Sequence, residues 1–138
     1  MKRLIIDLDG TLTIDDASKS YAEREPDAAV VGRLKEYKAL GYEIVIHSAR
    51  NMRTYKSQVG LINVHTLPVI LDWLRRNDIP FDEVHVGKPW CGTEGFYVDD
   101  RSIRPNEFVS MSAEQIATLI GQVAPQEAPG EGDLETKP

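Results

Sequence analysis

Two acidic residues stand at the end of an apolar run near the start of the chain, and they are the first candidates for chemistry. Residues 4–6 are apolar, which is typical of a strand buried on both faces of a parallel sheet. Asp7 and Asp9 come where this run gives out, and Gly10 permits a turn. Because ligands of open α/β sheets bind beyond the carboxyl ends of the strands, the two carboxylates are predicted at the mouth of a cleft.

Polar residues also follow three later apolar runs. The runs at 43–47, 83–86 and 96–98 predict a second, third and fourth strand. The residues that follow them are Ser48, Ala49 and Arg50, then Lys88, then Asp99 and Asp100. Because the carboxyl ends of parallel strands meet at one edge of a sheet, these residues are predicted to share a pocket with the first two acids.

The segments between the strands read as helices. Helical spacing predicts a helix over 26–40, which stops at Gly41, and a second helix that Thr66 caps and that ends near 77–80. Ser112 and Gln115 form a capping box for a last helix to about residue 123, and 107–109 is a weak candidate for a fifth strand. Strands that alternate with helices predict an α/β fold with a doubly wound, Rossmann-like parallel sheet.

Length and composition narrow the class of protein. The 138 residues suit one domain, which we place at 1–124, and residues 125–138 carry so few apolar side chains that we expect a disordered acidic tail. One cysteine, no leader peptide and no membrane-length apolar run predict a cytoplasmic protein with no membrane partner. The net charge of −6 disfavours binding to nucleic acid.

The predicted pocket has the composition of a phosphate site. Four carboxylates would repel one another, and the usual remedy is a hard divalent cation such as Mg²⁺. Lys88 adds a positive charge, and Ser48 adds a hydroxyl beside backbone N–H groups, which together suit a phosphate. One carboxylate can then act as a nucleophile and form an aspartyl-phosphate, and a second can transfer protons.

The order of these residues resembles a known family. Asp7-Leu8-Asp9-Gly10-Thr11 resembles the first motif of the haloacid dehalogenase (HAD) superfamily of phosphatases. Ser48 resembles its second motif, Lys88 its third, and the Asp99-Asp100 pair its fourth. The resemblance spans residues 4–100 and implies a HAD-like core that hydrolyses phosphomonoesters with Mg²⁺.

The resemblance also implies roles for single residues. Asp7 is the nucleophile and a Mg²⁺ ligand, and Asp9 is the acid and base and offers its backbone carbonyl to the metal. Ser48, with Ala49 and Arg50 beside it, binds the transferring phosphoryl group, and Lys88 neutralises that group. The remaining metal ligands are Asp99, directly, and Asp100, directly or through water.

A narrower resemblance points to the substrate. Residues 46–52, 86–92 and 97–105 are similar to the small phosphatases of capsular polysaccharide biosynthesis, which implies a small phosphorylated sugar or related metabolite. The intervals between the motifs leave no room for the cap domain that many members carry. A core without a cap leaves its cleft open, so a homo-oligomer in which a neighbouring subunit covers the cleft is expected.

Several readings stay open at this point. The alternatives to a metabolite phosphatase are a polynucleotide-end phosphatase and a module that binds a phosphorylated ligand without turnover. Trp90 and Cys91 either line the pocket or pack within their loop. Four arginines either hold an anionic substrate or are structural: Arg50, Arg53, Arg101 and Arg104.

Overall fold

The computed structural model describes residues 1–121, which fall into two compact units, Met1–Tyr97 and a second that begins at Val98. The first unit contains a parallel three-stranded sheet in the order β1-β2-β3. Its strands are β1 (Arg3–Asp7), β2 (Glu43–His47) and β3 (Glu83–His85). The chain is therefore an α/β protein with a parallel sheet, as the alternation of apolar runs predicts.

Five helices accompany the sheet in the described residues. The first unit holds α1 (Ala28–Ala39), α2 (Val59–His65) and α3 (Leu67–Arg76), and the second holds α4 (Pro105–Ser110) and α5 (Ala113–Leu119). Within residues 1–121, none of these helices has the length and apolar character needed to cross a membrane.

The first predicted helix is confirmed as α1, with bounds two residues later at its start and one residue earlier at its end. Its cap is Asp27, whose carboxylate accepts hydrogen bonds from two backbone N–H groups of the first turn, at 3.1 and 3.2 Å. Gly41 has φ +95°, the left-handed conformation that a glycine adopts readily, and it ends the helix as predicted. Val30 and Leu34 are buried on the inner face of this helix.

The core of the first unit joins the sheet to α3 and to the loop after β1. Ile44 and Ile46 of β2 and Ile70 and Leu74 of α3 have no exposed surface. Trp73 is also buried, and its indole N–H donates a 2.7 Å hydrogen bond to the backbone carbonyl of Arg24. This hydrogen bond anchors the end of the loop formed by residues 11–27 to α3. The same loop carries Tyr21, which lines the candidate site.

The predicted fourth strand is wrong. Phe96, Tyr97 and Val98 form no ladder and are exposed at 79%, 52% and 86%. The hydroxyl of Tyr97 donates to the carbonyl of Pro89 at 2.6 Å, so this segment folds back on the loop after β3. An apolar run forms a strand only where the backbone of a neighbouring strand pairs with it. The apolar pattern of the sequence does not show whether such a strand is available.

The predicted fifth strand is also wrong, because residues 107–109 lie inside α4. Pro105 occupies the first turn, and the carboxylate of Glu107 accepts a 2.8 Å hydrogen bond from the backbone N–H of Arg104. Both features are start signals of a helix, and they prevail over the short apolar pattern.

Helix α2 is absent from the sequence prediction, which left residues 59–65 as part of a bend. Thr66 does not cap the following helix through its side chain, contrary to the prediction, because its backbone is helical (φ −100°, ψ −44°) rather than extended. Its hydroxyl donates to the side-chain oxygen of Asn51 at 2.6 Å. The predicted capping box of Ser112 and Gln115 is confirmed, with bonds of 2.8 and 3.1 Å at the start of α5.

The connections between the strands contain no additional domain. The segment from β1 to β2 holds a loop and α1, and the segment from β2 to β3 holds α2 and α3. The tail predicted at 125–138, and the end of the last predicted helix at 122–123, lie outside the described residues.

Candidate active site

Asp7 stands at the carboxyl end of β1 and faces a lysine from the loop after β3. Its side chain is 37% exposed, and one carboxylate oxygen lies 3.5 Å from Nζ of Lys88. The other oxygen accepts a 3.2 Å hydrogen bond from the Thr11 hydroxyl. The backbone N–H of Lys88 donates to the carbonyl of Ser48 at 3.1 Å, which ties the exits of β3 and β2 together. The backbone hydrogen bonds between the strand ends therefore bring Lys88 next to Asp7, although the two residues are 81 positions apart in the sequence.

Asp9 lies in the turn after β1 and is held by Arg50. Nε and Nη2 of Arg50 donate to the two carboxylate oxygens of Asp9 at 3.0 and 2.8 Å. The side chain of Arg50 is 1% exposed, whereas that of Asp9 is 26% exposed. A two-bond arginine–carboxylate pair fixes the orientation of the carboxylate as well as its position. Arg50, for which the sequence left two readings open, is thus built into the site.

Tyr21 covers the Arg50–Asp9 pair from the loop after β1. Its ring centroid lies 4.1 Å from the guanidinium carbon of Arg50 and 4.6 Å from that of Arg24. Nη1 of Arg24 lies 3.8 Å from Asp9. The aromatic ring therefore makes cation–π contacts with two arginines, which favours both cations and holds the loop beside Asp9.

These residues line a cavity of about 440 Å³, here called the strand-end cavity. It lies wholly within the first unit, and its size is typical of small-molecule sites, which span about 300–1,000 Å³. Five predicted site residues line it: Asp7, Asp9, Ala49, Arg50 and Lys88. The other lining residues are Tyr21, Asn51, Arg53, Thr54, Trp90, Cys91 and Tyr97.

Ser48 lies behind the cavity wall rather than on it. Its side chain is buried, and its hydroxyl oxygen accepts a 3.0 Å hydrogen bond from the backbone N–H of Arg50. The hydroxyl thereby shapes the turn that presents Ala49 and Arg50 to the cavity. Contact of Ser48 with a phosphoryl group stays a prediction.

The histidine beside Asp7 contributes little positive charge. His47 pairs with Asp7 across β1 and β2 and with His85 across β2 and β3. Burial lowers the pKa of His47, and the nearby charge of Lys88 lowers it further. The neutral imidazole is therefore favoured at neutral pH, so the positive charge of the cavity comes from Lys88, Arg50 and Arg53.

Tyr97 supports the wall on the Lys88 side. Its ring centroid lies 4.5 Å from Nζ of Lys88. Burial raises the pKa of the Tyr97 phenol, and contact with Cys91 raises it further, so the phenol stays a neutral donor. Cys91 and Trp90, which the sequence placed either in the pocket or in loop packing, both line the cavity.

Four lining residues were missed by the sequence analysis: Tyr21, Asn51, Thr54 and Tyr97. Tyr21 sits in a segment without a motif, and Tyr97 was assigned to a predicted strand rather than to the site, so long-range folding alone brings the two tyrosines to the cavity. Asn51 carries a weak signal, because it has φ +63° and asparagine is among the few residues that adopt this conformation readily. Its position after Arg50 makes it part of the turn that forms the cavity wall.

The fourth motif lies in the second unit. Asp99 and Asp100 are exposed, and a carboxylate oxygen of Asp99 accepts a 2.9 Å hydrogen bond from the backbone N–H of Arg101. Across residues 1–121, no three or more His, Cys, Asp and Glu side chains gather as a metal-binding group. The Mg²⁺ ligands that the resemblance implies stay a prediction.

The Arg50–Asp9 pair leads to a stability prediction. Arg50→Lys should lower the free energy of unfolding by about 1.5–3 kcal/mol, the usual worth of a hydrogen bond to a charged group, because an ammonium cannot form the same two parallel bonds. Urea denaturation measures the change. Arg3→Lys is the control, since Arg3 and Glu83 form a partly exposed pair with a single hydrogen bond of 3.3 Å. Equal stability of Arg50→Lys and the wild type would contradict a structural role for the pair.

Fold and cavity together define the class of protein: an α/β protein whose polar cavity opens at the carboxyl ends of a parallel sheet. No protein-family model and no curated protein matches the chain. Among solved structures, it is similar to the crystal structure of a structural genomics target from Vibrio cholerae. The two share 55% sequence identity with a TM-score of 0.85, over 88% of this chain and 98% of that one. The chain belongs to the same protein family as that Vibrio protein.

Proposed function

We propose that this protein is a HAD-type, Mg²⁺-dependent phosphomonoester hydrolase that works through an aspartyl-phosphate. The observation that carries the proposal is the grouping of Asp7, Lys88 and the Arg50–Asp9 pair in one cavity at the strand ends. A half-exposed carboxylate beside a lysine can act as a nucleophile on phosphorus, and a second, oriented carboxylate two residues away can move protons.

In the first step, a carboxylate oxygen of Asp7 attacks phosphorus and the bond from phosphorus to the ester oxygen breaks. The Asp7 side chain is exposed enough to reach a substrate, and the Thr11 hydroxyl orients it. The contact of 3.5 Å between Nζ of Lys88 and Asp7 supports this step, because a cation beside the nucleophile would neutralise charge on the transferring phosphoryl group. Asp9 gives a proton to the leaving oxygen, so the products are an alcohol and an acyl-phosphate on Asp7.

In the second step, water attacks the phosphorus of the acyl-phosphate, Asp9 takes a proton from that water, and inorganic phosphate leaves. The pair with Arg50 fixes the orientation of Asp9 at one edge of the cavity, and a proton that Asp9 takes up replaces one of the two hydrogen bonds from Arg50. Proton donation in the first step requires one oxygen to exchange Arg50 for a proton. Asp9 has room for this exchange, since its side chain is 26% exposed.

The chemistry of the donors at the strand end fits Mg²⁺. This ion takes oxygen ligands and is usually held by one or two carboxylates, with water and substrate phosphate in the other positions. Asp7 supplies a half-exposed carboxylate, and Asp9 supplies a backbone carbonyl in the turn. The resemblance adds Asp99 and Asp100. When bound, the ion would neutralise charge on the phosphoryl oxygens.

The substrate we propose is a small phosphorylated sugar or related metabolite, in the biosynthesis of a surface polysaccharide. The size of the strand-end cavity supports a small leaving group, and its aromatic residues Tyr21, Trp90 and Tyr97 offer flat apolar faces to a sugar ring. The sequence motifs shared with capsular polysaccharide phosphatases supply the pathway part of the proposal.

The experiment that tests the proposal is a phosphate-release assay with Mg²⁺ over aryl phosphate, sugar phosphates, nucleotides and oligonucleotide ends. We expect turnover of the aryl phosphate and of at least one sugar phosphate, loss of this turnover in excess chelator, and inhibition by Ca²⁺, whose higher coordination number disturbs the geometry of attack. Preference for oligonucleotide ends would favour the polynucleotide-end alternative. No release from any of these compounds would favour a binding module.

A further inference from the structure

The strand-end cavity is lined by three cationic side chains and only two carboxylates. Lys88 faces Asp7, and Arg50 binds Asp9, so each lining carboxylate already has a lining cation. Arg53 is the third lining cation, and residues 1–97 place no carboxylate within ion-pair distance of it. The cavity therefore presents a guanidinium that the first unit leaves without a counter-charge.

Arg53 is nevertheless positioned. Its guanidinium carbon lies 5.8 Å from the ring centroid of Trp90, within the range of a cation–π contact, and both residues line the cavity. The neighbouring Thr54 hydroxyl accepts a 3.2 Å hydrogen bond from Nδ2 of Asn51, which leaves its own O–H to donate. A guanidinium fork and a hydroxyl donor on one turn suit a carboxylate or a phosphate.

The cavity has space for more than the reacting group. A phosphoryl group that reacts at Asp7 and Lys88 occupies one part of a volume of about 440 Å³, and the leaving group must lie in the remainder. Arg53, Thr54 and Trp90 line the same cavity as the two catalytic carboxylates. A ligand whose reacting phosphoryl group lies beside Asp7 and Lys88 and whose second anionic group reaches Arg53 would supply the counter-charge that the first unit does not.

We propose that the substrate carries a second anionic group, a carboxylate or a further phosphate, which Arg53 and Thr54 bind while the ring of Trp90 packs against the adjoining part of the molecule. The proposal rests on the proposed function, since it names a property of the leaving group. It assigns a specificity subsite to the turn after Arg50, apart from the residues that contact the reacting phosphoryl group.

Three sugar phosphates that differ only at C6 test this subsite: glucose 1-phosphate, glucuronic acid 1-phosphate and glucose 1,6-bisphosphate. Calorimetry with Mg²⁺ on the Asp7→Asn protein gives their affinities without turnover. We expect the two with an anionic C6 group to bind about tenfold more tightly than glucose 1-phosphate, because one charge-assisted hydrogen bond is worth at least this factor. Adding Arg53→Gln should remove the preference.

Arg75→Gln is the matched control. Its guanidinium lies 6.0 Å from the ring of Phe81, a contact like that of Arg53 with Trp90, and it is not part of the cavity wall. This variant loses the same charge and should keep the preference. Equal affinities for the three compounds, binding of none at millimolar concentration, or a preference that survives Arg53→Gln would each overturn the proposal.

Activity is measured separately, so the two proposals can fail independently. Hydrolysis of aryl phosphate by the wild type without a preference for an anionic C6 group would leave the proposed function standing and remove the subsite. A preference for an anionic C6 group that depends on Arg53, without hydrolysis of any phosphomonoester, would support the proposed subsite and contradict the proposed phosphatase function. The ratio of the affinities for glucuronic acid 1-phosphate and glucose 1,6-bisphosphate shows whether Arg53 binds a carboxylate or a phosphate more tightly.

Discussion

Asp7→Asn should abolish hydrolysis of every phosphomonoester, with a loss of about 10⁶ in kcat, the scale seen when a covalent nucleophile is removed. The amide is nearly the same size as the carboxylate, and its oxygen can still accept the hydrogen bond from Thr11, so the fold should persist. It cannot form an acyl-phosphate, however. Steady-state assays on aryl and alkyl phosphates, together with mass spectrometry for a phosphorylated protein, measure both effects.

Asp78→Asn is the control for this change. Asp78 follows α3, its side chain is 98% exposed, and its φ of +55° is a conformation that asparagine tolerates as well as aspartate. This variant makes the same chemical change outside the strand-end cavity and should retain wild-type turnover. Substantial turnover by Asp7→Asn with a normal melting temperature would contradict Asp7 as the nucleophile.

Asp9→Asn should lose about 10²–10⁴ in rate on an alkyl phosphate, the usual worth of a positioned acid or base. On an aryl phosphate the first step should largely survive, because an aryl oxide leaves without a proton. The second step still needs a base for water, so an acyl-phosphate should accumulate on Asp7 and appear as a burst of aryl alcohol. Rapid-quench mass spectrometry measures this adduct.

Loss of the ion pair with Arg50 is the competing explanation for a defect in Asp9→Asn. Arg50→Lys weakens the same pair while it keeps the carboxylate, so the two variants separate the roles. If Asp9 transfers protons, Asp9→Asn should lose much more rate on an alkyl phosphate than on an aryl phosphate. Arg50→Lys should show a much smaller difference between the two substrates. An equal loss on both substrates, with no adduct, would show that Asp9 acts only through the geometry of the site.

The sequence by itself determined the parallel strands that end in polar residues and four of the five charged residues that line the candidate site. The apolar runs at 4–6 and 43–47 form the parallel strands β1 and β2, although Ile5 is 61% exposed and β1 is therefore not buried on both faces as predicted. The residues that follow these runs lie at the carboxyl edge of the sheet because parallel strands share a direction. Asp7, Asp9, Arg50 and Lys88 line one cavity for that reason. Their placement at one edge of the sheet was predicted without knowledge of any contact.

The local sequence did not determine the secondary structure of segments whose backbone hydrogen bonds could form in more than one conformation. Residues 96–98 have the composition of a strand, yet they pair with no neighbour, and residues 107–109 lie in a helix because Pro105 and Glu107 favour its start. Short apolar runs of three residues fit either structure, and the available partner decides between them.

Only the tertiary structure decided what each charged residue faces. The contact of Tyr21 with Arg50, the contact of Lys88 with Asp7 and the contact of Arg53 with Trp90 join residues far apart in the chain. Such contacts depend on the path of loops, which carries no periodic pattern. The same reason explains why the sequence, which placed Arg50 but not Arg53 with the phosphate-binding residues, did not decide what either arginine contacts. The fold buries Arg50 against Asp9 and leaves Arg53 on the cavity wall without a carboxylate of the first unit.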